Sequence, residues 1–311
     1  MGEKMHYKSY SNHLKKKYGE KVYKIPIHLS AGCPNRDGLI GTGGCDFCAD
    51  NGAGFELLSE QIPVGEQIDR NIQYIGSRYG ASKFIAYFQN YSNTYMPYEA
   101  FKSAMKKALH PQIIEFSIST RPDCVQQKHL EFLSDFSEKH NIPISIELGL
   151  QTANYRTLYK INRGHGLASF IDAVMRIHQY DFEVCTHVIA NLPGDDDLDI
   201  VETAEILSAL KVHQVKMHAL YIMKNTKMGV DYEQGLFNII SLDEYIERVI
   251  LFLEHLNPEI VVQRIIGRAP EENSLFVNWG MSWWKIRDLI HDKMEKEQRY
   301  QGDKWVSGLN Y

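Results

Sequence analysis

Three of the five cysteines in the chain lie close together in a glycine-rich segment. Cys33, Cys45 and Cys48 belong to CPNRDGLIGTGGCDFC (33–48), whose four glycines accept backbone angles that other residues resist. In a reducing compartment, clustered cysteines more often bind a metal or act in catalysis than form disulfides. Three thiolates are one ligand short of the usual closed metal site. Either another residue completes the site, or the site stays open.

Three interpretations of this cysteine segment compete. In the first, the cysteines are small buried residues, which explains a Cys-x-x-Cys pair beside a third cysteine poorly. In the second, they bind zinc together with a fourth ligand, for which His28 is the nearest candidate. In the third, they hold a [4Fe–4S] cluster whose fourth iron is free to bind a substrate or cofactor. The missing ligand is then the functional feature.

The elements that must position these cysteines alternate along the chain. Runs rich in Ile, Val, Phe and Tyr predict strands at 23–30, 83–90, 112–119, 142–148, 182–189 and 213–220. Helical spacing of apolar residues predicts helices at 98–110, 126–141, 166–181 and 197–213. This alternation predicts an α/β fold, a partial (β/α)6 TIM-like barrel with N- and C-terminal extensions. The cysteine segment follows the first strand, and chemistry in such barrels gathers at the carboxyl ends of the strands.

The alternation weakens after residue 222. A helix is predicted at 241–259 and a seventh strand at 260–267, followed by a charged helix with an aromatic start. We therefore expect one continuous domain. It consists of a basic N-terminal extension (1–22), the barrel (23–225) and a C-terminal extension that packs on the barrel (226–311).

The composition resembles that of an ordinary soluble globular protein, with 44% hydrophobic residues, 23% charged residues and a net charge of −5. No apolar run is long enough to span a bilayer, and the first residues lack the apolar core of a signal peptide. We therefore expect a cytoplasmic location and no membrane partner.

Lysines and tyrosines are interleaved near the start of the chain. These residues are Lys4, Lys8, Lys15, Lys16, Lys17, Lys21 and Lys24, with Tyr7, Tyr10, Tyr18 and Tyr23. The segment is either a solvated helix face or a local patch for a polyanion, with aromatic rings available for stacking.

The cysteine motif and several later segments resemble those of the radical S-adenosylmethionine (SAM) enzymes. Eleven residues separate Cys33 from Cys45, and Cys45-x2-Cys48 follows with Phe47 before the last cysteine. This spacing resembles the YtqA/YhcC-like subgroup, which is related to the radical SAM domains of the Elongator catalytic subunit and of oxygen-independent coproporphyrinogen oxidase. Five later segments resemble family motifs at successive strand ends: SISTRPD (117–123), IELGLQT (146–152), INRGHG (161–166), THVIANLPGD (186–195) and VKMHALYIMKNT (215–226).

The resemblance implies a [4Fe–4S] cluster held by Cys33, Cys45 and Cys48, with SAM bound to the open iron. Reductive cleavage of SAM then yields a 5′-deoxyadenosyl radical, which takes a hydrogen atom from the substrate. Arg163 is the candidate for the SAM carboxylate, because a guanidinium can pair with a carboxylate bidentately. The other expected cofactor contacts are Phe47, Gln89, Asn90, Ser119, Glu147, Gln151, His187, Ile189 and Asn191.

One segment departs from the family pattern. FQNYSNTY (88–95) stands where many members have Gly-Gly-Glu, so groups near Gln89, Asn90 and Tyr91 are expected to receive the SAM amino group. His187 and His218 are either satisfied core residues or catalysts. Cys185 is predicted to be a buried small residue, as is Cys124 unless it serves as a second-site thiol.

For the substrate, the resemblance implies transfer RNA. The expected step acts on the carbon-5 side chain of the wobble uridine and converts a carboxymethylaminomethyl group to an aminomethyl group. An electron donor such as flavodoxin or ferredoxin would be a second partner. Two alternatives remain open: a radical SAM oxidase or decarboxylase of a small metabolite, and a non-catalytic metal-binding module that binds RNA.

Overall fold

Seven parallel strands form the central sheet in the computed structural model, which describes residues 6–49 and 57–306. In spatial order they are β1 (Val22–His28), β2 (Lys83–Gln89), β3 (Ile113–Thr120), β4 (Ile144–Gln151), β5 (Glu183–Ile189), β6 (Gln214–His218) and β8 (Val261–Arg264). A separate antiparallel pair consists of β7 (Ile222–Met223) and β9 (Ser274–Phe276). The curled sheet confirms the predicted α/β class and the partial TIM-like barrel, and β8 confirms the seventh strand.

Ten α-helices accompany the strands in the described parts of the chain. They are α1 (Tyr10–Tyr18), α2 (Val64–Tyr79), α3 (Tyr98–Lys107), α4 (Gln127–His140), α5 (Tyr155–Lys160), α6 (Leu167–Ile177), α7 (Asp197–Ala209), α8 (Lys227–Glu233), α9 (Leu242–His255) and α10 (Trp283–Glu297). Capping boxes at Asp196 and Ser241 begin α7 and α9 by satisfying backbone N–H groups of the first turn. None of the described helices is both long and apolar enough to cross a membrane.

The strands present apolar residues to the helices and polar residues to the inside of the barrel. On β4, Ile144, Ile146 and Leu148 join the main apolar core, and the intervening Glu147 belongs to a polar cluster. On β6, Val215 and Met217 likewise join that core. This alternation follows from the period of two in a strand. The inside of the barrel, called the lumen below, is therefore polar.

The two ends of the described chain meet beside the outer edge of β8. The Val262 N–H donates to the Lys8 carbonyl at 2.8 Å, so a short N-terminal segment covers that edge. The Gln301 N–H donates to the His6 carbonyl at 2.9 Å, and the Lys8 N–H donates to Gln301 Oε1 at 2.9 Å. The region after residue 226 thus contributes β8 to the sheet and also fastens the start of the chain.

Candidate functional site

A cavity of about 300 Å³ opens at the carboxyl ends of the strands. Eleven of the sequence-predicted site residues line it: Cys33, Cys45, Phe47, Cys48, Gln89, Asn90, Ser119, Glu147, Gln151, Arg163 and His187. Ile189 and Asn191 are not among the lining residues. Ile189 packs in a second apolar cluster with Leu192 and Leu220, and Asn191 Oδ1 accepts the Leu220 N–H at 2.7 Å.

The three cysteines are free thiols on a loop that is fastened to the end of α5. The Asp46 N–H donates to the Ile161 carbonyl at 2.9 Å, and Asn35 Nδ2 donates to the Asn162 carbonyl at 2.6 Å. Gly44 has a φ of 87°, and a side chain there would also lie 2.9 Å from Arg36 Nε. The loop can therefore close tightly around its cysteines only with glycine at this position.

Arg163 lies beside the thiols. Its Nη1 is 3.5 Å from Cys45 Sγ, and its Nη2 donates to the Gly149 carbonyl at 2.7 Å. The buried Nε atom has no hydrogen-bond partner among the described residues. A guanidinium with an unsatisfied donor, next to a buried thiol, suits thiolate ligands and an anionic group bound near them. These residues fit a cluster with a carboxylate-bearing ligand.

His28, the alternative fourth ligand of a zinc site, is occupied elsewhere. Its Nδ1 lies 3.0 Å from the Leu58 carbonyl, and its Nε2 lies 3.1 Å from Asn90 Nδ2. Among the described residues, the one compact group of three potential ligands is instead Glu147, Cys185 and His187. Ammonium groups already contact that Glu147 carboxylate, so this group does not suit a cation either.

Glu147 is the centre of the polar cluster in the lumen, and its side chain has no solvent exposure. Its donors come from five strands: Lys24, Ser117, His187, Lys216 and Gln263. Burial alone would raise the pKa of Glu147, but Lys216 and Lys24, with the hydrogen bond from His187, hold that pKa well below its ordinary value. The carboxylate is thus ionised and fully partnered within the protein. Its predicted contact with SAM stays a prediction, and would require one of these donors to move.

A chain of hydrogen bonds leads from Glu147 across the lumen to β8. His187 Nε2 lies 2.6 Å from Glu147 Oε2, and His218 Nε2 lies 3.1 Å from His187 Nδ1. Arg264 Nη2 lies 2.7 Å from His218 Nδ1. Because the Glu147 carboxylate can only accept, His187 donates to it from Nε2 and uses Nδ1 as an acceptor for His218 Nε2. Because Arg264 can only donate, His218 accepts at Nδ1. Both histidines therefore carry their proton on Nε2. Burial lowers the pKa of His187 to about 4 and that of His218 well below its ordinary value, which keeps both rings neutral.

Lys216 and Tyr87 complete the polar wall. Lys216 Nζ donates to the Tyr87 hydroxyl at 3.0 Å and lies 4.3 Å from the centre of its ring. Ser119 Oγ donates to the same hydroxyl at 3.1 Å, which places this predicted residue in the network. Burial lowers the pKa of Lys216, and contact with Glu147 opposes that shift. Lys216 and Tyr87 were not among the site residues predicted from the sequence. One signal that could have indicated them was a polar residue at every second position of a buried strand.

The backbone is strained where two strands reach the cavity. Asn90 and Tyr91, after β2, have φ values of 85° and 48°. Gln151, at the end of β4, has a φ of 84°. Residues other than glycine rarely adopt this left-handed region, and such strain concentrates at functional sites. The segment that replaces the family's Gly-Gly-Glu is therefore unusual in conformation as well as in sequence.

The lysines near the start of the chain do not form a single surface. Lys24 points into the lumen and contacts Glu147, and Lys17 Nζ pairs with Glu115 at 3.2 Å and Glu183 at 2.8 Å. Helix α1 lies at the amino ends of the strands, opposite the cysteines, where its Lys17 pairs with buried Glu115 on β3 and half-buried Glu183 on β5. Neither of the two interpretations of this segment, a solvated helix face or a patch for a polyanion, therefore fits these two lysines. Lys4 lies outside the described residues.

The two remaining cysteines are buried, as predicted. Cys185 is fully buried on β5 beside Glu147, and burial strongly raises the pKa of its thiol. Cys124 is 6% exposed, and burial raises its thiol pKa to about 11. Both thiols are protonated at neutral pH and are poor nucleophiles.

Comparisons with known proteins agree with this architecture. Residues 27–207 match the profile of the radical SAM superfamily, and residues 212–296 match that of the radical SAM C-terminal domain. The chain is 32% identical over 297 residues to the uncharacterised protein YtqA of Bacillus subtilis, covering 95% of this chain and 92% of YtqA. It is 22% identical over 202 residues to the tRNA-2-methylthio-N(6)-dimethylallyladenosine synthase of Campylobacter concisus, covering 62% of this chain and 43% of that enzyme.

A solved structure shares the fold. The archaeal Methanocaldococcus infernus Elp3, lacking residues 1–46, superposes with a TM-score of 0.65 at 16% identity. The match covers 90% of this chain and 64% of that chain. At this identity the likeness concerns the fold alone.

Proposed function

The chain belongs to the radical SAM superfamily, and from this premise we propose that it modifies the carbon-5 side chain of wobble uridine in tRNA. The proposed conversion removes the carboxymethyl group from the side-chain nitrogen as glyoxylate. Loss of a hydrogen atom to the SAM-derived radical and of one electron to the cluster would oxidise the N–CH2 carbon to an imine. Water would then cleave that C–N bond and leave aminomethyluridine. The observation that carries the SAM-dependent chemistry is the meeting of three free thiols with a cation-lined cavity at the carboxyl ends of the strands. The choice of RNA as the substrate rests on the exposed tyrosines of helix α5.

The cofactors of the family are a [4Fe–4S] cluster and SAM. In this chain Cys33, Cys45 and Cys48 would hold the cluster, and Arg163 would hold the SAM carboxylate. When bound, the cofactors supply a radical that takes a hydrogen atom from the substrate. The chain's own residues would orient the ligands and exclude water. Tyr87 and Lys216, both buried, form part of the wall that separates this space from solvent.

Helix α5 is the surface that best supports an RNA substrate. Tyr155 and Tyr159 are 67% and 87% exposed, and their spacing of four places both rings on one helix face. Arg156 follows Tyr155 and Lys160 follows Tyr159, and neither cation forms an ion pair within the described residues. Exposed aromatic rings beside cations are the means by which proteins stack unpaired bases. The end of α5 holds the cysteine loop, so RNA bound here would lie near the cavity.

The direct test is the nucleoside content of tRNA from cells with and without this gene. If the proposal is correct, carboxymethylaminomethyluridine accumulates in the deletion strain and the aminomethyl-derived nucleosides disappear. The measurement is mass spectrometry of digested tRNA, with re-expression of the gene as the control. An unchanged nucleoside profile would refute the tRNA assignment.

A binding experiment tests the α5 surface separately. Replacing Tyr155 and Tyr159 by alanine should weaken binding of an anticodon stem-loop roughly 30-fold or more, because each of the two base–aromatic stacks contributes about 1–3 kcal/mol. Tyr74→Ala is a matched control, since Tyr74 is 60% exposed on α2 and also lies beside an arginine, Arg78. Equal affinities of the double variant and the control would exclude α5 as the RNA contact.

A further inference from the structure

Arg264 is the one arginine of the lumen network, and it has no acidic partner within the described residues. It ends β8 and lines the cavity. Its Nη2 donates to a neutral histidine, His218, at 2.7 Å, and its buried Nε atom has no hydrogen-bond partner in the described parts of the chain. A guanidinium has five N–H donors in a fixed fork. Most of the binding capacity of this side chain is therefore unused by the protein.

The charges around Arg264 do not balance. Among the described residues, the polar network around Glu147 contains three cationic side chains, Lys24, Lys216 and Arg264, and one carboxylate, that of Glu147. Lys24 and Lys216 both contact that carboxylate, and the histidine between it and Arg264 is neutral. Arg264 is half-buried with a fully buried Nε atom, and an anion that enters the cavity would supply the counter-charge that this cation lacks.

Two other arginines that line the cavity, Arg163 and Arg121, have different partners. Arg163 lies against Cys45, at the cluster end of the cavity. Arg121 forms a bidentate pair with Asp123, at 2.9 and 2.8 Å. Arg264 instead ends β8, the strand that pairs with β6, and its Nη2 contacts His218. Its anion is therefore distinct from the one expected at Arg163.

We infer that Arg264 is the binding site for a carboxylate of the substrate, with His218 fixing the orientation of the guanidinium. A carboxylate can end a slender side chain and reach into the lumen, whereas a backbone phosphate of a nucleic acid is flanked by nucleosides on both sides. The identification of this carboxylate with the carboxymethyl group of the modified uridine rests on the proposed function. The aminomethyl product lacks the carboxylate and is a cation, so Arg264 would favour its release.

The test uses N-methylglycine and N-methylglycinamide as probes that differ only in charge at the carboxyl end. Their binding to the cluster-loaded, SAM-bound enzyme is followed by NMR titration. Wild-type enzyme should prefer the carboxylate roughly 10-fold or more, since hydrogen bonds to a charged group contribute about 1.5–3 kcal/mol. Arg264→Gln keeps a donor for His218 but removes the charge, and should abolish the preference. Arg70→Gln, which removes an exposed arginine on α2, should retain it.

Three results would overturn the inference. The first is that wild-type enzyme shows no preference for the carboxylate probe. The second is that Arg264→Gln keeps the full preference. The third is that Arg264→Gln weakens the binding of both probes equally. Binding of SAM is measured on the same variants, and a selective loss of SAM affinity in Arg264→Gln would assign the arginine to the cofactor instead.

A stem-loop carrying carboxymethylaminomethyluridine separates this inference from the proposed function. If the probes depend on Arg264 but the stem-loop is not converted, the carboxylate site stands and the tRNA assignment fails. If the stem-loop is converted equally well by wild type and Arg264→Gln, with unchanged KM, the tRNA assignment stands and the Arg264 site fails.

Discussion

Replacing Glu147 by glutamine should destabilise the protein strongly, although the two side chains have nearly the same shape. The carboxylate accepts from Lys24 and Ser117 at one oxygen and from His187 and Lys216 at the other. Glutamine would keep a single acceptor oxygen and turn an NH2 group towards a set of donors. The ammonium groups of half-buried Lys24 and buried Lys216 would also lose the only carboxylate that they contact among the described residues.

The size of the effect follows from these contacts. Breaking a buried ion pair by removing one partner costs about 3–5 kcal/mol, because it leaves an uncompensated buried charge. The expected loss is thus about 4 kcal/mol at pH 7, or roughly a thousandfold in the ratio of folded to unfolded protein. The pKa of Glu147 is held well below its ordinary value, so the wild-type advantage is complete above the unfolded-state pKa of about 4 and is lost as pH falls from there through the folded-state pKa.

The assay is urea denaturation of the cluster-free chain, followed by circular dichroism at pH 7 and at lower pH. Glu66→Gln is the matched control, because Glu66 pairs with Arg70 on the exposed side of α2 and should matter far less. Adding Lys216→Met to Glu147→Gln should recover part of the loss by removing a stranded cation. The reasoning is refuted if Glu147→Gln unfolds within about 1 kcal/mol of wild type, or if Lys216→Met adds its full cost to that of Glu147→Gln.

Three further predictions concern other parts of the molecule. Cys45→Ser should abolish iron binding and SAM cleavage together, whereas Cys124→Ser, at a buried cysteine outside the loop, should retain both. The measurements are iron and sulfide content and the yield of 5′-deoxyadenosine. SAM cleavage by the Cys45→Ser variant would contradict the ligand assignment. Lys17→Glu should lower the free energy of unfolding by about 1–3 kcal/mol, because the new carboxylate would face the like charges of Glu115 and Glu183. Lys16→Glu, at the exposed neighbouring lysine, should not lower it. Equal urea midpoints of the two variants would disprove the role of α1 at the base of the barrel. His129 is buried, and burial and Lys128 lower the pKa of its ring to about 4. As pH falls from 6.5 towards 4, the unfolded state binds a proton at His129 before the folded state does, so the free energy of unfolding decreases over that range. His129→Phe should reduce the decrease between pH 7 and pH 5 by about 2 kcal/mol, and an unchanged pH dependence would contradict the burial argument.

The strands were predictable because each is a short apolar run between turn residues. The run at 83–90 corresponds to β2 at Lys83–Gln89, and the run at 182–189 corresponds to β5 at Glu183–Ile189. The end of β4 was less predictable, because it continues to Gln151 instead of stopping at residue 148. Its last residues are held by pairing with β5, where the register shifts between Gly149 and Gln151. Composition carries no signal for such a shift.

The thiols were predictable from spacing, but the lumen network was not. Lys24 occurs in a run of lysines and tyrosines, and the sequence alone does not show that it faces inward. Its partners Ser117 and Glu147 are 93 and 123 residues away along the chain. The network exists only once the register of several strands has placed these side chains in one layer. Arg264 was hidden for the same reason, because the predicted seventh strand at 260–267 does not show which of its side chains would meet His218.

The fastening of residues 6–9 to residues 262 and 301 has a consequence for biosynthesis. A ribosome releases the cysteine loop early, but β8 and the segment that covers its edge find their partners only after nearly the whole chain has emerged. Contacts of such long sequence separation form slowly. Until then the nascent chain would carry exposed thiols beside an unfinished lumen. Cofactor loading is therefore expected after translation, by a donor able to deliver a cluster to a completed barrel.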